Sequence, residues 1–503
     1  MDTTPPRSWL WQPNLIVFIS SGCIMILELV AGRIIAPSVG VSLYTWTSVI
    51  GVILAGISLG NYIGGRLADR RASARLLGIM FLLAGLTSLG VLGLDRLDLM
   101  DKVEWPIVLE ILTLITALFF IPSTILGTIS PIVVKLTMRD LDKAGSTVGK
   151  IYAFGTVGSI VGTFLTGFWL ISWLGTYTIV LGVAVVLLAL GLFFVAGHRL
   201  AWFGGALLVL IVGTVLFYGL GWTKSPCLRE TNYFCIKVHE EEHDGEPVRV
   251  LILDRLVHSY SSLDDPTRLV YGYEQVYAEV TAYQAERHED LSALFIGGGG
   301  YTFPRYIAVV YPGSTVDVIE IDPGVTETAY DYLGLGRDME VTTYNEDARM
   351  FLHRAPTEKY DMIMGDAFND FSVPYHLTTK GFNDRVHAWL KPDGLYLVNI
   401  IDGAYGRFLR AYTYTLRQTF KYVYLSPTVQ SWRETVRSTF ILIATDTPLD
   451  LAAFEFDALF IQNLLSETEV DALLAEAELV MLTDRYAPVE QMLAPVFLDK
   501  TAE

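Results

Sequence analysis

Cysteine and histidine are scarce in this sequence. The 503 residues include three cysteines, Cys23, Cys227 and Cys235, and 8 histidines. Because no second Cys or His pair stands at the spacing that metal ligands need, we expect no metal site. Cys227 and Cys235 are close enough in sequence to close a small disulfide loop in an oxidising compartment, and the alternative is two unrelated thiols.

Basic residues are also few. The chain has 36 Lys and Arg against 54 Asp and Glu, which gives a formal net charge of −18 at pH 7. This balance argues against a nucleic-acid partner, because phosphate binding needs clustered Lys and Arg. An acidic exposed domain would suit cationic substrates, although such a charge more often reflects plain solubility.

Charged residues of both signs make up only 18% of the chain, whereas hydrophobic residues make up 52%. The first half, up to about Gly221, consists of long apolar runs between short charged loops. A spanning helix needs about 20 mostly apolar residues. The runs therefore predict a multi-pass α-helical bundle in the lipid bilayer, without a cleaved signal peptide. Its seven spans are predicted at residues 15–36, 44–65, 75–94, 106–129, 148–172, 176–197 and 200–221.

Loop charge predicts how this bundle is oriented. Basic residues concentrate between spans two and three and between spans four and five, and such loops are usually cytoplasmic. They are Arg66, Arg70, Arg71, Arg75, Lys135, Arg139, Lys143 and Lys150. We therefore expect a cytoplasmic N-terminus in the cell inner membrane. An odd number of spans then places the C-terminal domain outside the cytoplasm.

Glycine and two charged residues mark particular spans. Spans two and five are rich in glycine, which lets helices approach closely, so we expect both to pack inside the bundle. Glycine-lined helices could also pack against a second copy of the chain, so a homodimer is an alternative. Glu28 and Arg33 lie inside or near the end of span one. They suit a substrate or ion path, a structural pair or, for Arg33, snorkelling to the interface.

Beyond about Lys224, strands and helices alternate. Apolar strands at 292–296, 315–320, 339–343, 360–365 and 394–401 predict a Rossmann-like α/β fold with a parallel sheet covered on both faces. Asp244 and Gly245 predict a small β-hairpin before it. We divide the chain into a membrane domain (1–221), a β-strand and connecting-helix region (222–290), a Rossmann-like nucleoside-binding domain (291–450) and a helical C-terminal tail (451–503).

Glycines and carboxylates follow successive predicted strands. The glycine run is Gly297, Gly298, Gly299 and Gly300, and the acids are Glu320, Asp347 and Asp366. Glycines let the backbone approach a ligand, and the next helix directs its N–H groups at it. A carboxylate about 20 residues further on can accept both hydroxyls of a ribose. The alternative is that these residues only form turns and helix caps.

These segments carry a family resemblance. Residues 296–300, 318–323, 345–348 and 360–370 resemble the Gly-Gly-Gly-Asp-Gly, Glu-Ile-Asp, Gly-Asp-Gly and Asp-x-x-Asp-Pro segments of spermidine synthases. With its membrane half, the chain resembles the membrane-fused spermidine synthase-like proteins of bacteria. The resemblance implies the fold of class I methyltransferases and spermidine synthases, and polyamine biosynthesis as the activity.

The resemblance also implies roles for individual residues. Glu320 and Asp322, with the glycine run, would hold the ribose side of decarboxylated S-adenosylmethionine or methylthioadenosine, and Asp347 and Ala348 would hold the adenine. Asp366 would be the base that deprotonates an attacking amine or polyamine. Two further residues, Tyr273 and Asp370, would contact that amine. His258 takes the place of a nucleoside-contacting glutamine.

The chain also departs from the family pattern. Gly300 stands where the family's loop has an aspartate that pairs with the aminopropyl ammonium. The second acid of the aspartate loop is displaced to Asn369 or Asp370, and Glu274 replaces the usual Gln or His. Three hypotheses follow: an aminopropyltransferase-like enzyme, an S-adenosylmethionine-dependent methyltransferase or lyase of the same fold, or a transporter or sensor whose domain binds a nucleoside without turnover.

Overall fold

The computed structural model describes residues 12–96, 105–138, 140–196, 200–357, 359–367 and 373–498. The chain forms two compact units, residues 1–235 and residues 236–503. The first unit thus includes the residues that follow the last apolar run as far as Cys235.

The first unit contains the predicted apolar helices. Within the described part of the chain, seven helices are long and apolar enough to cross a membrane, which confirms the prediction of seven apolar helices. The observed ends differ from the predicted ones by up to eight residues, at the end of span four (137 against 129). These spans one to seven are Pro13–Val39, Leu43–Arg71, Ala74–Asp95, Ile107–Thr137, Ala144–Leu174, Thr176–Ala196 and Trp202–Gly219.

Glycines bring pairs of these helices into close contact. A Cβ at Gly60 would lie 2.1 Å from the carbonyl oxygen of Thr124, and one at Gly158 would lie 2.1 Å from that of Phe18. Only a residue without a side chain permits this approach, so the predicted role of these glycines in helix packing is confirmed.

The predicted position of the two glycine-rich spans inside the bundle is wrong. Only 33% of the most apolar window of span two and 22% of that of span five is buried, against 56% for span one. Each glycine-rich helix packs against its neighbours through its glycine face. Its other faces expose large apolar residues, such as Tyr152 and Trp173 on span five. In a membrane bundle, an apolar helix need not be enclosed by protein, because lipid tails are as apolar as its side chains.

Arg33 anchors the end of span one to the last segment of the first unit. Its guanidinium donates hydrogen bonds to the carbonyl oxygens of Tyr233 (2.7 Å) and Thr231 (2.8 Å). Both carbonyls lie in the loop closed by the disulfide between Cys227 and Cys235. The disulfide prediction is confirmed, and Arg33 has a structural role that involves this loop.

The second unit begins with antiparallel strands. β1 (Arg229–Glu230) precedes the unit, and β2 (Cys235–His243), β3 (Glu246–Leu253) and β4 (Leu256–Ser261) follow. β2 pairs with β3 and β3 pairs with β4. The turn between β2 and β3 has φ of 51° at Asp244 and 79° at Gly245. Positive φ at both central residues is typical of a tight hairpin turn, as the Asp-Gly pair predicts.

A larger sheet forms the centre of this unit. Its strand order is β10-β11-β9-β8-β5-β6-β7. The five strands from β9 to β7 are parallel, and β11 and β10 add an antiparallel edge. These strands are β5 (Ser292–Ile296), β6 (Thr315–Ile319), β7 (Val341–Tyr344), β8 (Tyr360–Gly365), β9 (Leu390–Asp402), β10 (Tyr422–Pro427) and β11 (Ser438–Thr445).

Helices connect and cover these strands. Every residue of β8 is buried, as expected of a strand covered on both faces. The described α-helices of this unit are Gly272–Ala285, Thr302–Val310, Pro323–Tyr332, Ala348–Leu352, Lys380–Trp389, Arg407–Leu416, Leu459–Asn463, Glu467–Ala475 and Val489–Leu498. The predicted fold class is therefore confirmed: apolar helices precede a Rossmann-like α/β domain.

The strand order defines where a ligand can enter. From β5 the chain proceeds to β6 on one side and later returns to β8 on the other side. In open α/β sheets, the crevice at such a reversal, beyond the carboxyl ends of the strands, is the usual ligand site. Residues that follow Ile296 and Gly365 stand at this crevice, because those two residues are paired in the β5–β8 register.

Candidate active site

The glycine run adopts a conformation that side chains would prevent. Gly297 has φ of 96°, and a Cβ there would lie 2.4 Å from the backbone oxygen of Asp366. Its N–H donates to the carbonyl of Ile319 (2.9 Å), at the end of β6. Glycine at this position therefore lets the ends of β5, β6 and β8 meet closely.

Gly300 lies against Ser259 of β4. A Cβ at position 300 would come within 1.9 Å of the Ser259 Oγ. The neighbouring Ser261 and Thr302 hydroxyls share a hydrogen bond of 2.9 Å, which holds β4 against the loop. The hydroxyl of Ser259 thus fills the space into which an aspartate at position 300 would begin to extend.

Glu320 holds the glycine run by hydrogen bonding. It follows β6, is 6% exposed, and accepts hydrogen bonds from the N–H groups of Gly298 (2.8 Å) and Asp322 (2.9 Å). Burial raises the pKa of this carboxyl, and the N–H donors oppose that rise. Asp322 in turn caps the next helix by accepting from the N–H of Gly324 (2.8 Å).

Asp366 follows β8 and is held by two donors. Its Oδ2 accepts from the Tyr273 hydroxyl (3.0 Å), and its Oδ1 accepts from the Asn399 side-chain amide (2.9 Å). Burial raises the pKa of Asp366 above the ordinary range, whereas the hydrogen bonds from Asn399 and Tyr273 lower it. The pKa of Tyr273 is raised as well, by burial and by the charge of Asp366, so this phenol stays a donor.

Glu274 and His258 stand nearby with unused polar atoms. Glu274 is 2% exposed, and neither its Oε2 nor the Nε2 of His258 has a hydrogen-bond partner among the described residues. Burial, followed by the charge of Asp366, raises the pKa of Glu274 to about 8. Burial, followed by the charge of Arg437, lowers the pKa of His258 to about 4. The imidazole is therefore neutral at pH 7.

These groups border one cavity. Its empty volume is about 360 Å³, counted with the space at its opening. The lining comprises the glycine run, polar side chains from β4, β8 and the helix Gly272–Ala285, and aromatic side chains. It includes Gly297, Gly298, Gly299, Gly300, His258, Ser259, Tyr273, Glu274, Tyr277, Phe295, Phe303 and Asp366. The structure thus brings together the predicted residues of the glycine run, Tyr273, His258 and Asp366.

The other predicted residues occupy different places. Glu320 and Asp322 lie behind the glycine run, outside the described lining of the cavity. Asp347 caps the helix Ala348–Leu352 by accepting from Met350 N–H (3.0 Å), and it pairs with His376 Nε2 at 3.1 Å. Ala348 is buried in the core beside it. Asp370 falls outside the described residues.

Sequence reasoning did not identify Asn399, Ser259 and Tyr277 as site residues. Asn399 lies inside β9 and comes beside Asp366 only through the observed register, in which Val398 pairs with Gly365. Ser259 and Tyr277 carry no sequence signal either, since the strand β4 and the helix Gly272–Ala285 reach the crevice only through the tertiary fold.

The glycine run, the strand-end carboxylates and the strand order define a Rossmann-like domain of the class that includes nucleoside-binding transferases. Residues 273–410 match the Spermine/spermidine synthase domain family. The C-terminal part of the chain therefore carries a spermine/spermidine synthase domain.

Relatives match over limited lengths. The chain is 34% identical over 131 residues to the "Probable polyamine aminopropyl transferase" of Bifidobacterium longum, which covers 26% of this chain and 29% of that protein. It is 36% identical over 144 residues to the "N-terminal histidine N-methyltransferase" of Emericella nidulans, covering 27% of this chain and 25% of that one. The chain thus spans less than a third of each relative's length.

A solved structure is also similar. The probable spermidine synthase from Corynebacterium glutamicum aligns with a TM-score of 0.44 and 22% identity, covering 50% of this chain and 93% of that one.

Proposed function

We propose that this protein is a membrane-bound, spermidine synthase-like transferase. It binds decarboxylated S-adenosylmethionine, or a related adenosyl thioether or sulfonium, and transfers an aminopropyl-type group to an amine. The observation that carries this proposal is the position of Asp366. Its carboxylate follows β8 at the reversal of strand order, lines the cavity beside the glycine run and is oriented by Tyr273 and Asn399.

Asp366 acts in the proposed reaction as the base. An amine is protonated at neutral pH and has no lone pair until a base removes a proton. The freed nitrogen lone pair forms a bond to the carbon beside the sulfonium, the C–S bond breaks, and its electrons leave with sulfur as a neutral thioether. Burial raises the pKa of Asp366 and makes it a better proton acceptor than an exposed aspartate.

The nucleoside part of the proposal rests on the glycine run and its surroundings. A carboxylate offers about four lone-pair sites, and Glu320 accepts from the backbone N–H groups of Gly298, Asp322 and Gly299, so it retains capacity for a ribose hydroxyl. The unpartnered Nε2 of His258 is available to a nucleoside. We also propose Asp347 and Ala348 as adenine contacts, with the Asp347 carboxylate shared between the ligand and His376. Asp370 is proposed as an amine contact.

One alternative is favoured by a specific observation. The match to an N-terminal histidine N-methyltransferase extends over 144 residues. The same pocket could thus take S-adenosylmethionine and pass its methyl group to an acceptor, and product analysis separates the two reactions.

An Asp366→Asn variant tests the proposed function. We expect the full-length protein in detergent to bind methylthioadenosine, and to form a propylamine adduct when decarboxylated S-adenosylmethionine and a diamine are supplied. In the variant, the adduct should fall by about 100-fold or more, because general base catalysis contributes at least that factor, while methylthioadenosine still binds. Mass spectrometry measures the adduct and isothermal titration measures binding. Unaltered turnover in the variant contradicts Asp366 as base, and no binding of any adenosyl compound removes the proposal.

We further propose that the seven spans lie in the cell inner membrane and that the C-terminal domain lies outside the cytoplasm. The disulfide between Cys227 and Cys235 supports this placement, because disulfides persist in oxidising compartments. Loop charge supports the same orientation. A ligand made in the cytoplasm would then have to cross the membrane to reach the cavity.

A further inference from the structure

The carboxyl of Glu274 is buried in the cavity wall without a complete set of hydrogen bonds. It stands in the first turn of the helix Gly272–Ala285, lines the cavity and leaves its Oε2 without a donor among the described residues. A buried acceptor that lacks a donor is costly, so sites of this kind are usually completed by a ligand or a water. In the ionised carboxylate, which is the form that pairs with a cation, what Oε2 lacks is a hydrogen-bond donor.

The charges around this carboxyl favour a cation. Asp366 lines the same cavity, and its charge contributes, after burial, to the raised pKa of Glu274. Along the walls that the structure describes, no lining residue is Lys or Arg, and His258 is neutral at pH 7. Arg305, whose charge also acts on Glu274, donates instead to the carbonyls of Leu333 (2.6 Å) and Ser262. The polar part of the cavity is therefore acidic.

The opposite wall offers no acid. Position 300 has no side chain, and the hydroxyl of Ser259 fills the space beside it. The carboxyl groups of the described lining are therefore Glu274, on the helix Gly272–Ala285, and Asp366, after β8. An ammonium satisfies both carboxylates because it has three N–H donors, whereas a sulfonium has none.

We propose that Glu274 is the specificity-determining residue that binds a primary ammonium group of the substrate, together with Asp366. This inference rests on the proposed function and names the side chain that recognises the charged end of the substrate. Two sources offer this chemistry: the aminopropyl tail of the donor and the amine of the acceptor.

A Glu274→Gln variant tests the role, with Glu286→Gln at the exposed end of the same helix as its control. Titrations use methylthioadenosine, which has no ammonium, decarboxylated S-adenosylmethionine, which has the tail, and a diamine alone. We expect Glu274→Gln to weaken an ammonium ligand about tenfold or more, as loss of a hydrogen bond to a charged group does. Methylthioadenosine should change by less than about twofold, and the control should match the unaltered protein.

The ligand that weakens identifies the source. Loss confined to decarboxylated S-adenosylmethionine assigns Glu274 to the donor tail, and loss confined to the diamine assigns it to the acceptor. Equal affinities of variant and unaltered protein for all ligands overturn the inference. Diamine binding that depends on Glu274 while methylthioadenosine fails to bind would uphold the inference and reject the proposed function.

A second measurement follows the proton of Glu274. Because burial and the charge of Asp366 raise the pKa of Glu274 to about 8, its carboxyl is mostly protonated at pH 7 and must ionise to pair with an ammonium. The titratable and charged groups that interact with it are Asp366, Tyr271, Tyr273, Tyr277 and Arg305. Ammonium binding at pH 7 should therefore release a proton, measurable by titration in two buffers of different ionisation enthalpy. The release should disappear in Glu274→Gln, and a proton release that is unchanged in this variant overturns the inference.

Discussion

Single residues of this site were predictable where their place along the chain sets their place in the fold. Asp366 and the glycine run follow strands, and the ends of parallel strands meet at one edge of the sheet. Ser259 and Asn399 were not predictable by that route. Asp347 stands at a strand end too, yet its carboxylate caps a helix and pairs with His376, a partner that sequence alone does not indicate.

The contact between Gly300 and Ser259 predicts the effect of restoring an aspartate. Gly300→Asp should destabilise the domain by about 1–3 kcal/mol, because its Cβ would meet the Ser259 hydroxyl and overpack this wall. Ser259→Gly should relieve the contact, so the double variant should be more stable than Gly300→Asp alone. Thermal unfolding of the four proteins of this cycle gives the coupling. A Gly300→Asp protein with an unchanged unfolding temperature contradicts the contact.

Elements were predicted best where apolar runs end abruptly. The observed bounds of β5 and β8 match the predicted strands 292–296 and 360–365. β4 was not predicted as a strand, because its buried positions, Ser259 and Ser261, are polar. Both contact the glycine run or a residue shortly after it, and not an apolar core. Burial of the glycine-rich spans was overestimated, since lipid and protein interior demand the same apolar residues.

At the end of β9, a buried carboxyl group makes the stability of the fold depend on pH. Asp402 is buried and accepts hydrogen bonds from the N–H groups of Gly403 (2.8 Å) and Leu409 (2.7 Å), at the start of the helix Arg407–Leu416. Burial raises the pKa of Asp402 from 3.8 to about 6 despite these donors. The folded state therefore holds this proton more tightly than the unfolded state does.

The raised pKa of Asp402 predicts how stability changes with pH. The protonated carboxyl favours the folded state fully below pH 3.8, and this contribution is lost as pH rises towards about 6. Over that window the loss amounts to about 3 kcal/mol, at about 1.4 kcal/mol per pKa unit. Asp402→Asn should remove it, so the stability difference between variant and unaltered protein should change between pH 4 and 6.5. Thermal unfolding in detergent measures this difference, and a constant difference would contradict the pKa shift.

At the scale of the whole molecule, composition predicted an apolar first half and an α/β second half, and both are observed. The contact of Arg33 adds a test of the span count that is independent of hydropathy. Because Arg33 near the end of span one bonds to carbonyls that follow span seven, both ends lie on one side of the bundle. An even number of spans must separate them, and spans two to seven satisfy this.

This parity makes the placement of the C-terminal domain testable. With a cytoplasmic N-terminus, seven spans carry residues 236–503 to the opposite side, where the disulfide of Cys227 and Cys235 is stable. Alkaline phosphatase fused after Glu503 should therefore be active in cells, and a fluorescent protein that matures only in the cytoplasm should stay dark there. Fusions after Arg71, in the basic loop that follows span two, should give the opposite pattern and serve as the control. A fluorescent C-terminal fusion together with free thiols at Cys227 and Cys235 would place the domain in the cytoplasm, beside the source of adenosyl ligands, and would reverse the proposed orientation.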